Sequence, residues 1–430
     1  MERFFKLKEN NVTIKSETIA ALTSFVAAVY IIIVNASILS DGGISMEPLI
    51  IATAISSAVG CLLIALISNT PLIIMPGMGI NALFTYTIVH TLGLNYCQAL
   101  ASVFVSGLIF VLIATTPLSK FIIEAIPQNL KESITVGIGL FITFVGFQKS
   151  KIIVSDSSTM LKLGDITSIQ VLAFIFIMIL TLILFLKNIP GSFLISIIVG
   201  TIFCIKLGIV ETQGISYTMP NFNEYSNILF KLDFSGINTI KFWVGTFSLT
   251  LVLVFENIGI LHSQVSGILK KSDKTSNAMI AVSLSTIGCA LFGSSPSVST
   301  VEGTAGITAG GRTGLVSLIS GILFLLSIFF IPFISIIPDV ALAPILIIIG
   351  CLMSQNLKNL NFNDLSELFP SFMTIILIPL TYSIVDGIAL GFILYPICKL
   401  CYKKGKEVSI LMYFTSFIFL LYFGLNSVIK

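Results

Sequence analysis

Apolar runs of about 20 residues recur along this chain from Ala20 to Leu425, and few of them contain a charge. A helix that crosses the hydrocarbon core of a bilayer needs about that length of mostly apolar residues. Hydrocarbon offers the backbone no hydrogen-bond partners, so spanning segments are helices or closed barrels. These runs are too long and too continuously apolar for barrel strands. Composition agrees: 56% of the 430 residues are hydrophobic and 10% are charged, against about 25% charged in a soluble protein. That charge cannot cover a water-facing surface. The expected fold class is an all-α integral membrane protein with the lipid bilayer as its solvent.

The net charge of +3 gives no nucleic-acid surface. Positive residues cluster at Arg3, Lys6, Lys8 and Lys15, at Lys270, Lys271 and Lys274, and at Lys399, Lys403, Lys404 and Lys406. They read as cytoplasmic anchors, which places the N-terminus in the cytoplasm of a multi-pass protein of the cell membrane. The run after Lys15 is long and ends in no small-residue cleavage site, so it does not fit a signal peptide. Cys398 and Cys401 form a CxxC without a second pair or a nearby histidine, so no zinc site is expected. With only His90 and His262 present, neither a metal nor a histidine-based catalyst is expected. No HExxH or GxSxG motif points to an enzyme.

Candidate spans cover roughly 18–39, 47–68, 72–91, 97–114, 130–148, 167–187, 190–206, 241–263, 277–293, 296–310, 313–336, 338–354, 368–384 and 386–400. A last apolar run, 408–425, reads as an extra span, a re-entrant piece or an interfacial helix. The halves resemble each other. Asn35-Ala-Ser-Ile-Leu39 matches Asn257-Ile-Gly-Ile-Leu261, and Ser106-Gly-Leu-Ile-Phe110 matches Ser320-Gly-Ile-Leu-Phe324. Ile126-Pro127 matches Ile337-Pro338, and Gly191 matches Gly387. About 14 spans in two sevens put the second copy in upside down, because seven is odd. That is an inverted repeat, a common transporter device.

Spans 3 and 10 are poor helices. Residues 68–81 hold two prolines and two glycines, and of the 22 residues from Gly293 to Gly314 six are Gly and eight are Ser or Thr. Such backbone survives at membrane depth only where it is buried in protein or lines a cavity. Paired broken segments in two halves mark a transporter's binding site. Of the 20 carboxylates, two fall inside apolar spans, Glu256 and Glu302. A charge at the bilayer centre costs about 2.5–3.5 kcal/mol on insertion scales, and no cation lies inside either span. Burial favours the neutral form, so each suits proton coupling or a hydrogen bond to a polar ligand. Gly259, Ile260 and Ser263 share the face of Glu256, while Ser299, Thr300 and Thr304 surround Glu302.

These residues also carry a resemblance. Pro76-Gly-Met-Gly-Ile-Asn-Ala-Leu-Phe-Thr-Tyr-Thr87 and Ser299-Thr-Val-Glu-Gly-Thr-Ala-Gly-Ile-Thr-Ala-Gly-Gly-Arg-Thr-Gly314 resemble the third- and tenth-span motifs of the azaguanine-type adenine/guanine/hypoxanthine permeases. That group is the purine branch of the nucleobase–cation symporter-2 (xanthine/uracil permease) family. Phe369–Ile384 is similar to the same branch. The resemblance covers residues 10 to 405. It implies a proton symporter for purine nucleobases, with the proton as coupling ion and no cofactor.

It also implies a core domain (18–114 and 241–336) and a gate domain (115–210 and 337–405), with a tail at 1–17, a connection at 211–240 and an extra segment at 406–430. It implies a short strand plus half-helix in spans 3 and 10, and a homodimer through the gate domain. The implied base contacts are Asn81, Ala82, Glu256, Gly259, Ile260, Thr300, Val301, Glu302 and Gly303, with Glu256 and Glu302 coupling protons. One departure stands out. The purine branch usually has Asp-Thr where this chain has Glu256-Asn257, and the uracil and xanthine branches use glutamate there. This leaves the preferred base open and a uracil/xanthine-type symporter as the alternative. An anion transporter of the same fold would instead want a cation at the start of the tenth half-helix.

Overall fold

The computed structural model describes residues 2–116, 125–210, 220–334 and 336–428. Residues 117–124 of the first expected gate segment, 211–219 of the expected connection, 335, and 429–430 of the extra segment lie outside them. Among the described residues, nine helices are long and apolar enough to cross a membrane. They are Ile14–Ser40, Met46–Ser68, Tyr96–Thr115, Gln128–Lys149, Ile169–Leu186, Ile240–Ile268, Gly314–Ile334, Asp339–Asn359 and Ile384–Cys401. Thr275–Leu291 and the shorter apolar helices Ser192–Lys206 and Leu365–Leu380 fill the ninth, seventh and thirteenth places.

Local sequence sets many of the helix starts. The side chains of Thr13, Asn95, Ser168, Thr239, Thr313, Asp364 and Ser383 each accept a backbone N–H in the first turn they precede. That satisfies donors with no partner inside the helix.

The third and tenth segments are broken, as the sequence predicts. Strand β1 (Ile74–Pro76) leads into helical turns at Met78–Ala82 and Leu83–Thr91. After the exposed hairpin of β2 (Ile153–Asp156) and β3 (Met160–Leu163), which the sequence reading does not foresee, β4 (Ser297–Ser299) leads into Val301–Gly303 and Thr304–Thr308. β1 and β4 pair antiparallel, with Met75 opposite Val298.

The repeat is visible in the packing. The fourth span lies on the eighth and ninth, and the eleventh lies on the first and second. The fifth packs against the thirteenth, and the twelfth against the sixth, while the fifth and twelfth pack on each other. Advancing each partner by seven spans turns one set of contacts into the other, as a pseudo-two-fold axis requires. The strongest contacts fall into two groups, spans 1–4 with 8–11 and spans 5–7 with 12–14.

The N-terminal segment is docked rather than free. Phe5 and Leu7 pack with Ala65 and Leu315, and Asn69 Nδ2 donates to Phe5 O at 3.3 Å. The last apolar run is a helix, Ile410–Val428. It lies antiparallel along the fourteenth span: Ser416 Oγ donates to Phe392 O at 2.5 Å, and Tyr422 OH to Asp386 Oδ1 at 3.3 Å. Phe419 meets both Phe392 and Phe247 of the eighth span, with ring centroids 5.7 and 5.8 Å apart. Of the three sequence alternatives, this is a helix covering the same depth as the fourteenth span.

Candidate functional site

The site is built around the β1/β4 pair. Pro76 lacks a donor and so can end only a short strand. Gly77 follows because nothing larger fits: a Cβ there would lie 2.7 Å from Val298 Cγ2 and 3.7 Å from Glu256 Oε1. The eighth-span carboxylate therefore lies against the backbone of the third segment. The two half-helices start on either side of the strand pair, each presenting N–H groups without helical partners.

Two amides of the eighth span hold the tenth segment in place. Asn257 Oδ1 accepts the Ser299 N–H at 3.0 Å, and its Nδ2 donates to Leu253 O at 2.9 Å. Gln264 Nε2 donates to Thr300 O at 2.7 Å and Thr304 Oγ1 at 3.1 Å, while its Oε1 accepts from Ser299 Oγ at 2.7 Å. Around Gln264 the helix loosens into wider π-type turns, His262–Ile268, a distortion frequent at functional sites. A second junction joins three segments: Ser295 Oγ lies 3.1 Å from Asn35 Oδ1 and 2.7 Å from Asn81 Oδ1.

Glu302 lies at the start of the tenth half-helix, half-buried, and its Oε1 accepts a short hydrogen bond from the buried hydroxyl of Tyr30. Glu256 has no hydrogen-bond partner among the described residues and lies within Coulombic reach of Glu302. Beside it, Gly259 has open space where a side chain would stand. The face that runs from Glu256 through Ile260 to Ser263 and Gly267 grows more exposed toward Lys270, while Val252 and Leu249 on the other side are buried.

The structure thus places Glu256, Thr300 and Glu302 around the β1/β4 pair, with Gly259 and Ile260 on the following turn of the eighth span. Thr300 Oγ1 and Asn81 Nδ2 are buried without a partner, as polar groups awaiting a ligand would be. The remaining predicted positions differ in their packing. Ala82 is packed in the core, and Gly303 is a close-packing position, where a Cβ would lie 3.2 Å from Ile73 N. Val301 is 70% exposed and borders the site rather than enclosing it. His262 is exposed, as expected of an interfacial residue.

Sequence reasoning missed Tyr30, Asn257, Gln264 and Ser295 as site residues. Asn35 and Asn257 gave a signal as repeat-matched amides inside apolar spans, and Gln264 as a polar residue two turns past Glu256. Tyr30 gave none.

The arrangement places one carboxylate against β1 and the other at the start of the half-helix that follows β4. Ionised, a carboxylate accepts two hydrogen bonds, and protonated it also donates. An unpartnered buried carboxylate is costly, so a proton or a hydrogen-bonding ligand stabilises it. Among the described residues no group of His, Cys, Asp and Glu could hold a metal ion.

Comparison with known proteins follows the same line. The Xan_ur_permease model, described as Permease family, matches residues 15–390. The chain is 44% identical over 384 residues to Nucleobase transporter PlAzg2 of Paenibacillus larvae, covering 89% of this chain and 76% of that one. It is 36% identical to Guanine/hypoxanthine permease PbuO of Bacillus subtilis (94% and 96% covered). To Adenine permease AdeQ of Escherichia coli it is 31% identical (95% and 93% covered). Among solved structures, the transmembrane domain of the cyanobacterial bicarbonate transporter BicA superposes with a TM-score of 0.66 at 15% identity, covering 87% of this chain and 97% of that one. SLC26A9 superposes with a TM-score of 0.65 at 11% identity, covering 90% and 66%. At those identities the likeness is one of fold.

Proposed function

This chain belongs to the Permease family of the Xan_ur_permease model, and from that premise we propose that it imports purine nucleobases across the cell membrane by proton symport. It is a multi-pass membrane transporter, not an enzyme. Relatives named for nucleobase, guanine/hypoxanthine and adenine transport cover nine-tenths or more of its length, or close to it. The observation that carries the reading is the unpartnered Glu256 carboxylate against the β1/β4 pair and beside the open space at Gly259, with Glu302 on the half-helix that follows β4. A purine edge presents adjacent N–H and C=O groups that carboxylates and free amide donors can match. A wrong base leaves buried groups unpaired at about 1–3 kcal/mol each.

In this reading Glu256, Glu302, Asn81 and Thr300 bind the base, while Gly259 and Ile260 form its wall. Glu302 and Glu256 take up and release the proton, with no other cofactor. The N-terminus is cytoplasmic, in keeping with the lysines near the opening, and the cleft faces the cytoplasm. Spans 1–4 and 8–11 form the core that carries the site, spans 5–7 and 12–14 the gate it moves against, and the gate provides the face for a homodimer.

The fold is shared with anion transporters, but two acids line this cleft. Arg312, the nearest cation along the tenth segment, donates to Ile307 O and Gly311 O instead.

The test is uptake of labelled hypoxanthine by cells expressing the protein, competed with adenine, guanine, xanthine and uracil. Purines should compete, a protonophore should abolish uptake, and Glu302→Gln should abolish it at normal expression. Full uptake by Glu302→Gln overturns the site. Uptake indifferent to the protonophore overturns the proton coupling, and competition by uracil and xanthine alone reassigns the base.

A further inference from the structure

The eighth-span face that runs from Glu256 to Gly267 grows more exposed toward Lys270. At the opposite end of the molecule polar side chains cross the boundary between the two packing groups, and Lys149 is at their centre. It closes the fifth span and is only 12% exposed. Its Nζ lies 3.4 Å from Asp41 Oδ2 and 3.2 Å from Asp339 Oδ1, and donates to Ser37 Oγ at 3.2 Å. Ser37 and Asp41 belong to the site-bearing group, Lys149 and Asp339 to the other. Ser37 Oγ also donates to Asp339 Oδ1 at 3.0 Å.

The cluster connects directly to the site. Asp41 Oδ2 accepts from Tyr86 OH at 2.6 Å, and Tyr86 lies on the half-helix that begins beside Glu256. Its ring meets Tyr382 of the other group, with centroids 5.4 Å apart, while Tyr382 OH donates to Gln148 Oε1 at 3.0 Å. At the next residue, the Ile384 N–H donates to Thr87 Oγ1 at 2.9 Å. Outside this seal lies a cavity of about 470 Å³, lined by Asp41, Tyr86, Gln148, Lys149, Asp339 and Tyr382 among others. If the site-bearing group moves to open this end, Ser37, Asp41 and Tyr86 move with it, away from Lys149.

We propose that Lys149 is the latch of the outer gate: it bridges Asp41 and Asp339 across the two groups and holds the cleft shut on the side away from the N-terminus. One cation serves two carboxylates from opposite groups. Without it, Asp41 and Asp339 face each other with like charge, and attraction across the seam becomes repulsion. Lys149 is thus a positioning residue for the transport cycle, distant from the base. The proposal rests on the transport reading of the cleft.

The test places a reporter behind the latch. Ile138 of the fifth span is buried at the seam, its Cγ2 2.9 Å from where a Cβ on Gly79 would lie. In the full chain, with the seven native cysteines replaced by serine and hypoxanthine uptake retained, Ile138→Cys is labelled in intact cells with a membrane-impermeant maleimide. Labelling should be slow with Lys149 present and about tenfold faster in Lys149→Met, as the population shifts toward the outward-open state. Lys149→Arg should restore slow labelling. Asp339→Asn, which breaks one bridge without leaving two facing charges, should raise the rate about threefold, as for a partly exposed ion pair.

Unchanged labelling in both Lys149→Met and Asp339→Asn, with both proteins monodisperse on size exclusion, overturns the latch. Hypoxanthine binding by the purified parent protein is measured in parallel. Its absence counts against the nucleobase reading alone, because the labelling result needs no substrate.

Discussion

The two broken segments have the same plan and different chemistry. In both, a three-residue strand leads into a half-helix, and the strands pair across the pseudo-two-fold axis. On the third segment the strand is Ile74-Met75-Pro76, and the helical turns from Met78 to Ile88 are buried. On the tenth, the strand is Ser297-Val298-Ser299 and the half-helix ends at Thr308 with Glu302 at its start. The same split appears one layer back. Asn35 and Asn257 are repeat-matched, and both brace the tenth segment, yet the residue before each is Val34 in one half and Glu256 in the other. Symmetry builds the scaffold, and asymmetric side chains put both span-embedded acids in the second half.

The sharpest way to break this comparison is to exchange those two positions. Glu256→Val with Val34→Glu should abolish hypoxanthine uptake, by about 100-fold or more, since a site built for polar partners tolerates their loss poorly. Transport at more than a tenth of the parent rate would show that the halves are interchangeable. Next, Gly77→Val forces a side chain against Val298, and such overpacking typically costs about 1–3 kcal/mol. A thermal melt in detergent should show the loss, and adding Val298→Ala should recover part of it.

Asn257→Leu strands the buried Ser299 N–H, at about 1–3 kcal/mol, and should lower uptake about tenfold with little change in expression. Tyr30→Phe removes one hydrogen bond to Glu302, typically about 1.5–3 kcal/mol in gross terms for a charged partner. Because the half-exposed carboxylate can find water instead, uptake should fall about fivefold, with a displaced pH profile. An unmoved profile would separate Tyr30 from the proton step.

The smallest effect is expected away from the comparison. Hydrogen bonds from Lys404 and Ser366 hold the Asp364 carboxyl well below the usual carboxylate range. A carboxyl with a depressed folded-state pKa stabilises the fold above its unfolded pKa, about 3.9, and loses that contribution as pH falls further. Asp364→Asn should therefore lower the melting temperature slightly at pH 7, by a margin that narrows below pH 4.

Much of the fold was legible because lipid imposes simple rules on sequence. Apolar run length gave the spans. Proline and glycine at 71–79 and 293–314 marked both breaks. The acids were legible because Glu256 and Glu302 are anomalous in apolar surroundings. Hidden from that reading were residues whose types are ordinary for their surroundings. Tyr30 is one tyrosine among apolar neighbours, and nothing local says that its hydroxyl reaches Glu302, 272 residues away. The core packing of Ala82 and Gly303 was hidden too, because a motif gives position along the chain, not which way a side chain faces.

The sequence alone determined a membrane solvent, an inverted repeat, two breaks and two acids inside apolar spans, because hydropathy and backbone chemistry act over a few neighbours at a time. Tertiary structure decided that Glu256 lies against Gly77, that Tyr30 donates to Glu302, that the last helix lies along the fourteenth span, and that Lys149 bridges Asp41 and Asp339 across the two packing groups. Those facts depend on how helices far apart in the chain pack, and hydrogen bonds and ion pairs act only at a few ångströms, whatever the separation in sequence.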